Sequence, residues 1–144
     1  MRKPIIAANW KMNLGPKETA DFLSTFTGKL DNITDQVDVV IAPPFVSIPA
    51  AIAALSSNSD VAIAAQNVSD QDNGAFTGEV STRLLKELYV RYVIFGHSER
   101  RTLYGETYAI SIAKVDSARG GNLRPMVGSG GTGGGRGGGE LGGV

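Results

Sequence analysis

The chain has 144 residues, a length for one domain, and 42% of them are hydrophobic, enough to build a packed core. Fourteen basic residues balance fourteen acidic ones, so no broad basic field exists to gather nucleic acid or an anionic membrane, and any anion binding must be local. The absence of cysteine excludes disulfides, thiolate catalysis and cysteine-ligated zinc, while a single histidine argues against a histidine-rich metal site; neither a metal nor a cofactor is expected.

From the N-terminus, the apolar part of Met1 to Asn9 is too short for a signal peptide, and no later run could span a bilayer, so a cytoplasmic location is expected. Ile5 to Trp10 reads as a first strand, with Asn9 and Lys11 where it ends. Glu18 to Leu30 has helical period, placing Ala20, Phe22, Leu23, Phe26 and Leu30 mostly on one face. A second strand, Val37 to Ala42, is stopped by Pro43-Pro44, since neither proline can donate to a sheet ladder, and Ser47-Ile48-Pro49-Ala50 reads as the entry to a short helix. Val61 to Ala65 is a third strand, followed by a long loop, Asn67 to Glu79, that carries Phe76 between glycines near its tip. Loops of that length in compact domains tend to be functional, which sets a partner-binding loop beside a plain solvated Ω-loop.

Thr82 to Leu88 again has helical period through Leu84, Leu85 and Leu88, and Tyr92 to Phe95 is a fourth, apolar strand. His97 should emerge where that strand stops, and Ser98-Glu99-Arg100-Arg101 offers a capping hydroxyl, a carboxylate and two guanidinium groups at the start of a helix. Leu123 to Val127 is a weaker fifth strand. A spacing of about 30 residues between strands is that of consecutive βα units, so the expected class is α/β with a parallel sheet. In such a sheet all strand C-termini lie on one side, so Asn9, Lys11 and His97 can converge although nearly 90 residues separate them. A lysine there can meet a phosphate or a developing oxyanion, and a neutral imidazole can donate to a carbonyl.

Four segments, Ala7-Ala8-Asn9-Trp10-Lys11-Met12-Asn13, Ala65-Gln66-Asn67-Val68-Ser69, Gly74-Ala75-Phe76-Thr77-Gly78-Glu79 and Gly96-His97-Ser98-Glu99-Arg100-Arg101, resemble in order and spacing the signatures of triosephosphate isomerase, and the match runs from about Met1 to Thr107. The resemblance implies a (β/α)8 barrel that interconverts dihydroxyacetone phosphate and glyceraldehyde 3-phosphate through an enediol in glycolysis and gluconeogenesis. It implies that His97 is the electrophile polarising the substrate carbonyl, that Lys11 offsets the charge of substrate and intermediate, and that Asn9 binds substrate beside it. Glu99, with Ser98, would support these groups from behind, and Arg100 and Glu106 would form a structural ion pair. Phe76, Thr77 and Gly78 would enter a partner subunit, which implies a homodimer.

A (β/α)8 barrel takes about 250 residues, and this chain carries about the first four and a half βα units. The resemblance then places the general base, a glutamate of the sixth-strand region, outside this sequence, with the lid and the phosphate-gripping loops. Residues 1–127 are read as the N-terminal half of one barrel domain and residues 128–144, GSGGTGGGRGGGELGGV, as its continuation. There Gly130, Thr132, Arg136 and Gly139 keep the register of the family's Val-Gly-Glu-Thr-Leu-Glu-Glu-Arg-Glu-Ala-Gly stretch while other side chains are glycine. The rival reading is an inactive half-barrel that serves folding or assembly.

Overall fold

The computed structural model describes residues 2–30, 33–55 and 60–128. Five strands, β1 (Ile5–Asn9), β2 (Asp38–Ala42), β3 (Val61–Ala65), β4 (Tyr92–Phe95) and β5 (Arg124–Val127), lie in sequence order in one all-parallel sheet. Five helices alternate with or follow them: α1 (Pro16–Phe26), α2 (Ile48–Ala54), α3 (Thr82–Glu87), α4 (Ser98–Tyr104) and α5 (Tyr108–Gly120). This is a curled half-barrel, the first part of a (β/α)8 architecture.

Register sorts the strand residues into two faces. Ala7 pairs with Val40 and Asn9 with Ala42, so these four share the concave side. Val40, Ala42, Ala62, Ala64, Tyr92 and Ile94 form the cluster on that side, whereas Val39, Ile41, Ile63, Val93 and Phe95 pack outward with Leu23, Ile48 and Leu85 of the helices. Both faces of β2, β3 and β4 are therefore buried, which is why these strands read as continuous apolar runs. The flanking strands differ: Ile5, Ile6 and Val127 are about half exposed, and a cavity of about 850 Å³ opens at the N-terminal ends of β2 to β5 between Asp38, Tyr92 and Arg124.

Helix boundaries follow local chemistry. Pro16 opens α1 at a position whose N–H has no intrahelical partner, and the expected helix of Glu18 to Leu30 ends at Phe26 before a 3₁₀ turn over Thr27–Lys29. Phe22 and Leu84, expected in the core, stand partly exposed; Phe22 instead stacks on Phe26 and meets Trp10 edge-on. Ser81 and Thr107 cap α3 and α5 by accepting from Leu84 N and Ile110 N. Gly105 ends α4 in the left-handed region at φ 63°, where a β-carbon would be strained. Of the glycine-rich stretch expected from residue 128, all but Gly128 lies outside the described residues.

Leu85 is fully buried between α3 and the sheet while Val46 is largely exposed. Leu85→Ala is expected to cost about 2 to 5 kcal/mol and Val46→Ala within about 0.5 kcal/mol, measured by urea unfolding.

Candidate active site

The rim at the C-terminal ends of the strands collects the polar residues singled out above. The chain leaves β1 through a tight turn in which Lys11 N–H donates to Asn9 Oδ1 at 2.9 Å, and Lys11 itself adopts φ 54°. A left-handed conformation costs a β-carbon-bearing residue about 1 to 2 kcal/mol, and here it is fixed by hydrogen bonds on both sides of the residue. Gln66, just after β3, uses both amide N–H groups to hold backbone oxygens, Lys11 O and Ala42 O, each at 2.8 Å. Asn13 adds a third tie, to Trp10 O at 2.9 Å.

The lysine ammonium lies 2.7 Å from Glu99 Oε1, and both side chains remain about half exposed, 52% and 45%. A ligand can therefore reach the charge without breaking into the core. The Lys11 hydrogen bond holds the Glu99 carboxyl below the usual carboxylate range, outweighing its partial desolvation, with smaller electrostatic help from His97 and Lys11.

His97 stands at the start of α4 and is itself the cap, its Nδ1 accepting from Glu99 N at 3.2 Å. The Ser98 hydroxyl, expected to cap, lies instead on the first helical residue, because the chain turns helical one position earlier than a serine cap requires. The consequence is chemical. A ring nitrogen that accepts from a backbone N–H carries a lone pair, so the proton of the neutral ring sits on Nε2, which is left as a donor. The backbone that carries His97 is closely packed from the next strand: Gly128 N–H donates to Phe95 O at 2.9 Å, and a β-carbon on Gly128 would approach His97 Cα to 3.3 Å.

Behind the rim lies a buried polar network that the sequence reading located only in part. Glu106 and Lys114 are each 7% exposed. Glu106 Oε2 accepts from Lys114 Nζ and from Arg100 Nε, both at 2.8 Å, and Oε1 accepts from Ser111 Oγ at 3.2 Å. Lys114 Nζ also donates to Asn67 Oδ1 at 2.8 Å. Burial, the largest influence on Glu106, pushes its carboxyl up, but the hydrogen bonds from Lys114 and Arg100 with their charges outweigh it, and the group ends below the usual range.

The sequence reading assigned no role to Gln66, Asn67, Ser111 or Lys114. A lysine between Ser111 and Ala118 at helical spacing, on a helix whose outward face carries Tyr108, Ile110 and Ile112, was the available signal. Beyond Asn67, which the network holds, the loop runs out to an exposed stretch from Asp70 to Glu79, with Phe76 46% exposed.

A family model described as triosephosphate isomerase matches residues 4–140. The chain belongs to the triosephosphate isomerase family. It is similar to the triosephosphate isomerase of Herpetosiphon aurantiacus, with 41% identity over 127 residues, 88% of this chain and 50% of the relative. It is also similar to that of Syntrophotalea carbinolica, with 48% identity over 115 residues, 80% of this chain and 45% of the relative. Among solved structures, the triosephosphate isomerase of Bartonella henselae superposes with a TM-score of 0.79 at 35% identity, covering 88% of this chain and 51% of that one. The chain thus spans about half the length of the triosephosphate isomerases it matches. No helix among the described residues is long and apolar enough to cross a membrane.

Two measurements check this geometry. Nitrogen-15 NMR should show that in the neutral form of the His97 ring the proton sits on Nε2 and Nδ1 is bare. Because Glu106 is depressed in the folded state, the stability it supplies is complete above its ordinary value of 4.5 and is lost as pH falls through the lower folded value. Glu106→Gln should therefore cost about 3 to 5 kcal/mol at neutral pH and flatten the acid limb of stability against pH, read from urea midpoints.

Proposed function

We propose that this chain supplies the first half of a triosephosphate isomerase, acting in the cytoplasm on dihydroxyacetone phosphate and glyceraldehyde 3-phosphate. The single observation that carries the reading is the convergence at one strand rim of an accessible lysine ammonium and an imidazole whose free donor is Nε2. Moving a proton between adjacent carbons requires stabilising an enediolate. A fixed cation and a neutral donor do that without reorganising when the charge appears. In this reading Lys11 meets the negative charge of substrate and intermediate, and Asn9, besides shaping the turn, binds substrate. His97 donates from Nε2 to the carbonyl oxygen, and Glu99, with Ser98 beside it, supports the lysine.

The reaction balances as a proton relay. A base removes a proton from the carbon bearing the hydroxyl, the carbonyl oxygen takes up charge under the His97 hydrogen bond, and a proton returns to the neighbouring carbon. No glutamate of this chain matches that base. The family resemblance assigns it to the βα units that complete the barrel. We also infer a homodimer in which Phe76, Thr77 and Gly78 enter the partner subunit, supported by an aromatic ring held at an exposed loop tip.

Steady-state interconversion of the two triose phosphates by the protein as its cell produces it tests the assignment. Turnover is expected, with His97→Gln lowering kcat by about 10² to 10⁴ and Lys11→Met lowering kcat/KM at least as much; absence of turnover in folded wild-type protein overturns it. Phe76→Glu should shift sedimentation from dimer to monomer.

A further inference from the structure

Lys11 is held at two atoms by residues from two different elements. Gln66, at the end of β3, holds its backbone oxygen, and Glu99, in the first turn of α4, holds its ammonium. The position of the charge therefore depends on the spacing between those two anchors. Each anchor has a sequence neighbour in the buried network: Asn67 beside Gln66 and Arg100 beside Glu99. Lys114 Nζ bonds Asn67 Oδ1 and Glu106 Oε2, both at 2.8 Å, and the same carboxylate oxygen takes Arg100 Nε at 2.8 Å. The chain of contacts from Asn67 through Lys114 and Glu106 to Arg100 closes a circuit that runs through Lys11.

We propose that the Lys114–Glu106 pair is a positioning clamp that fixes the gap between the end of β3 and the start of α4, and through it the place of the Lys11 ammonium. The pair is suited to the task. Its side chains are 8% and 4% exposed, so neither charge can turn to water when the other moves, and a buried charge deprived of its partner is strongly unfavourable. Ser111 occupies the other carboxylate oxygen, leaving Glu106 no alternative seat. Lys114 acts through Asn67 on one side and through Glu106, which holds Arg100, on the other.

What the clamp is for rests on the isomerase reading, but its test needs no turnover. Two titratable groups face Glu99 among the described residues, the Lys11 ammonium at 2.7 Å from Oε1 and the His97 ring, whose Nδ1 lies 3.6 Å from Oε2. The carboxyl carbon-13 shift of Glu99, followed against pH by NMR, therefore reports how near the Lys11 ammonium sits. Lys114→Met is expected to raise the Glu99 midpoint toward the ordinary carboxylate value. Asn67→Ala, which cuts only the β3 arm and leaves Glu106 both cations, should raise it in the same direction by less. In a Lys11→Met background neither change should move it further.

If Lys114→Met does not fold, as judged by far-ultraviolet circular dichroism, Asn67→Ala decides. A folded variant in which Glu99 titrates as in the parent overturns the clamp and makes the pair a packing element only. An equal shift in the Lys11→Met background overturns it too. Loss of turnover with Glu99 unmoved would sink the clamp and leave the isomerase reading standing.

Discussion

Five strands run parallel and in sequence order, and each crossover returns the chain to the same starting edge. Every strand must then end at one rim, and whatever polar residue follows a strand is delivered there. Asn9 and Lys11 follow β1, Gln66 and Asn67 follow β3, and His97 follows β4. No local interaction could bring Lys11 to Glu99 across some 88 positions of sequence; the ladder register does it. The apolar work of the fold is done by the interiors of β2, β3 and β4, so the rim is free to carry charge.

At that rim two devices solve one problem, which is to hold charged groups still beside solvent. Surface ion pairs contribute little by themselves, and Lys11–Glu99, half exposed, would be no exception. Its geometry comes from elsewhere. The left-handed backbone of Lys11 is locked by the Asn9 and Gln66 hydrogen bonds, and α4 is locked to α5 by a buried carboxylate and ammonium together with a partly exposed guanidinium. The imidazole is handled in the same way: a backbone N–H occupies one nitrogen, Gly128 packs against the backbone that carries the ring, and the remaining nitrogen is left as the donor of the neutral ring.

The sequence showed the strands because burial on both faces leaves an uninterrupted apolar run, as Val61–Ala65 and Tyr92–Phe95 illustrate. It showed Lys11 and His97 because each sits a step or two past such a run. It did not show α5. That helix turns Ser111, Lys114 and Ala118 inward and Tyr108, Ile110 and Ile112 outward, so its polarity is close to inverted and no apolar stripe marks it. Lys114 was hidden for the same reason, since a lysine in a helix is ordinarily a solvated one. The cap at α4 was misplaced because serine is the commoner capping residue, whereas here the His97 Nδ1 accepts the Glu99 N–H.

The central claim is that this rim stabilises an enediolate between two carbon-bound proton positions. Its most direct test is isomerisation in deuterium oxide by the protein as its cell produces it, with the product examined by proton NMR. An enediolate whose proton visits an exchangeable base predicts product carrying solvent deuterium at the newly protonated carbon, with the labelling rate falling sharply in His97→Gln. Product formed at the wild-type rate with no deuterium at that carbon, or labelling indifferent to His97, would contradict it.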